Sequence, residues 1–135
     1  MPSSARASAR IATFSRAYPA SASQIRAVRA DLRALLDGCP IADDAVLCAS
    51  ELAANAALHS ESRKPGGTLT VHVEIHESDH VRIEVDGGGG TWSQPFADPA
   101  RPHGLDIIRV ITTRWGITET SVGRTVWAQL DWPAT

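Results

Sequence analysis

Residues 51–59 read Glu51-Leu52-Ala53-Ala54-Asn55-Ala56-Ala57-Leu58-His59, and the spacing inside this stretch decides how the rest of the chain is read. Glu51, Asn55 and His59 recur every four residues, which on an α-helix stacks a carboxylate, a carboxamide and an imidazole along one face. The other positions are alanine and leucine. A polar stripe of this kind is often the solvated side of an amphipathic helix. Here, however, Leu47, Leu52, Ala53, Ala56, Ala57 and Leu58 make most of the circumference apolar, as expected of a helix covered by protein. A polar group in such surroundings needs a partner, because burying it alone costs free energy. The stretch therefore points to a binding site on a central helix.

Upstream, Ile25, Val28, Leu32, Leu35 and Leu36 recur at three- and four-residue steps, which predicts another helix, with Ser21 or Ser23 as its cap and Gly38 as its stop. Asp43 and Asp44 can cap the Glu51 helix and place negative charge at its positive end. The short link between the two makes them antiparallel neighbours. Alternation over residues 11–18 fits an amino-terminal strand that Pro19 ends and that suits a sheet edge. Residues 1–12 lie in a segment rich in Ala, Ser and Arg that lacks acidic residues; they read as a disordered tail, leaving 13–135 as one domain.

Downstream, residues 60–67 carry turn chemistry ending in Pro65-Gly66-Gly67, after which the period becomes two. Leu69, Val71, Val73 and Ile75 alternate with polar residues, and so do Val81, Ile83 and Val85. This predicts a hairpin with helices on one face and water on the other. His76-Glu77-Ser78-Asp79-His80 matches H-E-x-x-H, a zinc-protease pattern that requires both histidines on one helical face. Crossing a turn between strands, it lacks that helix, and zinc catalysis is set aside.

Asp86-Gly87-Gly88-Gly89-Gly90 follows the hairpin, and four glycines there serve backbone freedom and close approach to a ligand, or a flexible turn, rather than strand stability. A phosphate loop of the G-x-x-x-x-G-K-[ST] kind is excluded, because the only lysine is Lys64. The long loop with Trp92 and Phe96 runs to His103-Gly104-Leu105, where helical spacing continues through Ile108 and Ile111. Loops of this length in small domains often form lids. Gly104 at a helix mouth leaves backbone N–H groups free to face an anion, with Arg101 and His103 adding positive charge. Residues 115–117 and 125–130 read as two closing strands, with Trp115 and Trp127 in packing roles.

With 135 residues, 43% hydrophobic content and a formal net charge of -2, the chain fits one domain with a modest core and carries no mark of nucleic-acid binding. No apolar run approaches the ~20 residues of a membrane-spanning helix, so a cytoplasmic protein is expected. Cys39 and Cys48 are too few for a disulfide framework or a zinc knuckle and read as reduced thiols.

The order E-L-A-A-N-A-A-L-H, then D-G-G-G-G after a strand, then P-H-G-L-D-I-I opening a helix resembles the N, G1 and G2 boxes of the GHKL ATPases, the superfamily of gyrase and histidine kinases. The single-domain size and the ending R-W-G-I…G-R-T-V-W-A-Q-L look like the anti-sigma-factor serine kinases within it, over residues 13–132. The resemblance implies an α+β fold: a two-layer Bergerat-type sandwich, its mixed, mainly antiparallel sheet of about five strands packed against about three helices. It implies ATP and Mg²⁺ as cofactors, Asn55 as the metal ligand and Glu51 as general base or orienter of the attacking hydroxyl. Asp86 would accept a hydrogen bond from the adenine amino group, Gly88 and Gly90 would let the lid approach, and Gly104 would face the phosphates. His59, His103, Leu105 and Thr125 complete the implied nucleotide-binding set.

The expected partners are a sigma factor, which the protein would bind, and an anti-anti-sigma protein of the STAS type, whose serine or threonine it would phosphorylate; relatives are often homodimers. Two departures stand out. Asp86 directly follows Val85 where the family has V-x-D, so strict alternation turns it away from the helices unless the strand bulges. Pro102 replaces the first glycine of the G2 box, removing a backbone donor. A degenerate module that keeps the fold and acts by sequestering a regulator is the alternative expectation.

Overall fold

The alternating stretch after residue 67 folds as its pattern demands, into β2 (Thr68–His76) and β3 (His80–Asp86), paired antiparallel with Val71 opposite Val85 and Ile75 opposite Val81. The structure is a computed structural model and describes residues 11–59, 67–87, 104–120 and 123–133. The alternation over residues 11–18 becomes β1 (Ile11–Pro19), which begins inside the span assigned to the tail and lies against β2, with Phe14 opposite Val73 and Tyr18 opposite Leu69. Proline ends β1 at a sheet edge, where a missing N–H costs no ladder bond. β4 (Arg114–Thr120) and β5 (Gly123–Asp131) complete a five-stranded sheet in the order β1-β2-β3-β5-β4.

Every pairing in this sheet is antiparallel, which corrects the expected mixed sheet. The crossover from β3 leads to a strand of the same direction, β4. The β4–β5 hairpin then folds back so that β5 is inserted between them, with Ile83 opposite Ala128.

Among the described residues, three α-helices cover one face. α1 (Ile25–Leu35) and α3 (Gly104–Ile111) flank α2 (Ala42–His59), which packs on β2, β3 and β5. Ala45, Cys48, Ala49, Leu52, Ala53 and Ala56 of α2 are fully buried, and their small side chains bring the helix down onto Val71, Ile83, Val85 and Val126. Val28 and Leu32 of α1 and Ile108 of α3 close the core from both sides. The two-layer sandwich expected from the sequence is thus the observed fold.

The helix ends differ in detail from the expectation. Neither serine caps α1: Ser21 precedes a short 3-10 turn, Ala22–Gln24, without a side-chain cap, and the two serine hydroxyls meet each other at 3.1 Å. Gly38 takes φ 83 just beyond α1, a left-handed turn that residues with a Cβ rarely adopt. Asp43 and Asp44 lie inside the first turn of α2, where their charge meets the positive end of the helix.

A clamp ties β1 to α1. Tyr18 is buried, donates its hydroxyl to Asp31 at 2.7 Å, and has its phenol held well above the ordinary range by burial and by that carboxylate. Arg16 reaches the same Asp31 oxygen at 2.7 Å from a more exposed position.

The other face of the sheet carries the polar members of the alternation. Arg82 lies 4.4 Å from the centroid of the Trp127 ring, and that ring covers Gly116 on the neighbouring strand. Trp115, one residue away and of opposite parity, packs against the core.

Candidate functional site around Asn55

Asn55 sits one turn from the end of the described apolar run of α2 and is only 4% exposed. Its Nδ2 has no hydrogen-bond partner among the described residues. The contrast with Ser50, also buried on α2, is instructive: Ser50 donates its hydroxyl to Leu47 O at 2.9 Å and is satisfied within the helix. An orphaned buried amide costs about 1–3 kcal/mol, and buried polar groups left unpaired call for an explanation. Glu51 stands one turn earlier, half-buried at the rim of the same face.

The local electrostatics follow from this packing. Cys48 lies between Asp44 and Glu51 on α2, and burial, reinforced by those two carboxylates, pushes its thiol up to about 12. Cys39 and Cys48 are both free thiols, as expected.

A carboxamide turned through half a revolution exchanges its donor for its acceptor, so the Asn55 side chain can offer an oxygen to a cation as readily as an N–H to an anion. Magnesium takes hard oxygen ligands and keeps several of them from water and phosphate. No group of three or more His, Cys, Asp or Glu side chains among the described residues is placed to hold a metal. The one protein oxygen that α2 would offer a magnesium ion here is that of the Asn55 carboxamide, the ion's other ligands coming from water and phosphate.

Other expected members fall in three groups. His59 is the last residue of α2, while Gly104 and Leu105 open α3, which packs against α2; only their backbone is described. The first backbone N–H groups of α3 have no intrahelical acceptor, and Asp106 supplies negative charge in that turn. Gly88, Gly90 and His103 lie outside the described residues.

Asp86 and Thr125 are in the structure but on the wrong side of the sheet for the role expected of them. The ladder runs without a bulge through Asp86 opposite Thr125, so the pleat keeps Val85 facing α2 and Asp86 facing away. There Asp86 Oδ1 accepts the Thr125 hydroxyl at 2.5 Å and Asp86 Oδ2 lies 2.9 Å from His72 Nε2. His72 Nδ1 in turn accepts from the Ser15 hydroxyl at 2.7 Å in the Nε2-protonated tautomer. Gly87, the residue just past the end of β3, is buried and has no side chain to offer.

His72 is one of the polar residues that alternate through β2, and the sequence alone does not join it to the other three groups. Its only sequence signal is parity: all four residues share the outward phase of their strands, but which strands are neighbours is not written in that phase.

The H-E-x-x-H segment forms the β2–β3 turn, with Asp79 N donating to His76 O at 2.8 Å and Ser78 at φ 67. His76 and His80 stack with ring centroids 4.2 Å apart, and each ring holds its own carboxylate, Glu74 at 3.1 Å and Asp79 at 2.5 Å. Two surface cavities, about 590 and 380 Å³, open beside Asp131 and beside Cys39 respectively; neither is lined by Glu51 or Asn55. No helix among the described residues is long and apolar enough to cross a membrane.

Compared with protein-family models and with curated proteins, the chain matches none.

Proposed function

We propose that the protein is an ATP- and Mg²⁺-dependent serine/threonine protein kinase of the anti-sigma type, acting in the cytoplasm on an anti-anti-sigma partner and binding a sigma factor. The observation that supports the reading is the buried Asn55 side chain, whose Nδ2 has no hydrogen-bond partner among the described residues, on the helix that packs directly on the sheet and with the Glu51 carboxylate one turn away. Phosphoryl transfer depends on positioning and charge neutralisation more than on covalent chemistry by the protein. In this assignment Asn55 holds the metal that comes with the triphosphate. Glu51 orients the attacking hydroxyl and receives its proton, and the amino-terminal N–H groups of α3 face the phosphates.

Calorimetric titration with ATP and Mg²⁺ tests the binding step, with affinity in the micromolar range, about -8 kcal/mol, expected. Asn55→Ala should remove that binding. Glu51→Ala should keep it while ending the transfer of labelled phosphate to a cognate partner; equal transfer by the variant would rule out the catalytic role.

A second reading, a sequestering module without catalysis, is favoured by one observation: Asp86 is turned away, and the buried residue after it, Gly87, has no side chain to offer. A silent titration with a folded protein selects it.

A further inference from the structure

The chain of contacts on the open sheet face runs in one direction only. A carboxylate accepts and does not donate, so the Thr125 hydroxyl donates to Asp86 Oδ1 at 2.5 Å, and His72 Nε2, 2.9 Å from Oδ2, carries the proton of that contact. His72 Nδ1 is left with its lone pair, 2.7 Å from Ser15 Oγ. A hydroxyl, an imidazole and a carboxylate that fixes the imidazole tautomer are thus joined in the order that activates a nucleophile.

The strands hold these groups in place. Ser15 and His72 stand directly opposite each other on β1 and β2, while Asp86 lies diagonally from His72 on β3, opposite Thr70. Ser15 is exposed, and the His72 and Asp86 side chains are 37% and 42% exposed, so the hydroxyl can be approached from the face that points away from the helices. The Ala20 N–H donates to Gly67 O at 3.0 Å, which sets the parity of the β1–β2 ladder. Ser15 accordingly falls in a pair without mutual hydrogen bonds, and its own N–H is directed away from β2. That N–H is a donor for the oxygen that turns negative when a carbonyl is attacked.

We infer that Ser15 is a nucleophile for acyl transfer from activated esters, with His72 as its general base and Asp86, held by Thr125, as the positioning residue. This site faces away from Asn55 and does not depend on the kinase reading. Ser15 Oγ bonds to the acyl carbon and its proton passes to His72 Nδ1. The ester C–O bond breaks, and its electron pair leaves on the alcohol oxygen, which takes the proton back from His72. Water then attacks the acyl-serine, giving a proton to His72 that returns to Ser15 Oγ as the acid departs.

The test is brief incubation of the full chain with para-nitrophenyl acetate, an acid quench, and peptide mass spectrometry of the acetylated serines. Ser23 is the internal control, since it is also exposed and its hydroxyl meets that of Ser21 rather than an imidazole. Ser15 should be acetylated at least about 100-fold faster than Ser23, the size of a general-base contribution. His72→Gln should remove that advantage. Asp86→Asn can donate to Nε2 and reverse the tautomer, so it should lower the Ser15 rate by about tenfold or more; a merely structural tie would shift the melting temperature and leave the ratio of the two serines as it was. Equal acetylation of Ser15 and Ser23 in the folded chain, or an unchanged ratio in either variant with a native circular dichroism spectrum, overturns the inference.

Discussion

A methyl group at position 116 would lie 2.8 Å from the Trp127 ring, closer than carbon atoms approach. Gly116→Ala therefore has to displace an indole that is itself stacked under Arg82, and a cost of about 1–3 kcal/mol is expected in urea unfolding. Combining it with Trp127→Leu should recover part of that cost; strictly additive losses would show that the two positions do not meet. The cysteines give a second check at this scale. Cys48 is fully buried, and Cys39 is half-exposed, so a thiol reagent at neutral pH should titrate one group in the native protein and two in denaturant. Burial raises the Cys48 thiol from 9.0 to about 12, so the folded state holds that proton more tightly than the unfolded chain. Its contribution is complete below 9.0 and is lost as pH climbs toward about 12. Cys48→Ala should flatten the fall of unfolding free energy over that window, leaving the part that Tyr18 supplies with the same sign.

Between elements, the clamp of β1 on α1 separates a burial effect from a charge effect. Asp31→Ala strands the Tyr18 hydroxyl, which is in a residue only 2% exposed, and should cost about 1–3 kcal/mol. Arg16→Ala removes an ion pair whose arginine side chain is 56% exposed, and a loss of about 0–1 kcal/mol is expected. Equal losses in chemical denaturation would show that the ion pair, not the buried phenol, is what joins the two elements. How far the sequence discloses such features depends on their range. Strands β2 and β3 were legible because apolar and polar residues alternate through them, and α2 because its apolar positions wrap the helix. The outward turn of Asp86 was legible too, as parity. The ties from Asp86 to His72 and Thr125 were not, because they join residues 14 and 39 positions apart whose adjacency depends on strand order. The tip of the β2–β3 hairpin shows the converse: a five-residue pattern with a well-known meaning on a helix becomes two stacked imidazoles on facing strands.

Across the whole molecule, the core that three α-helices and five strands share among the described residues predicts one cooperative transition in urea, with the same midpoint by tryptophan fluorescence and by far-ultraviolet circular dichroism. Separate midpoints would mean that the helical layer comes away from the sheet. Strand order was the least legible property at this scale, since nothing in local periodicity says that the hairpin closing the chain slips its second strand beside β3. That placement has a consequence for how the protein is made. A ribosome delivers β4 before β5, yet β5 is the strand that joins β4 to β3, so until it emerges β4 has no strand in the sheet to pair with. A nascent chain stalled ahead of Val126 should remain open to protease, and one released past Asp131 should become resistant in a single step. In the interval the bare flank of β3 is the surface on which neighbouring chains would aggregate.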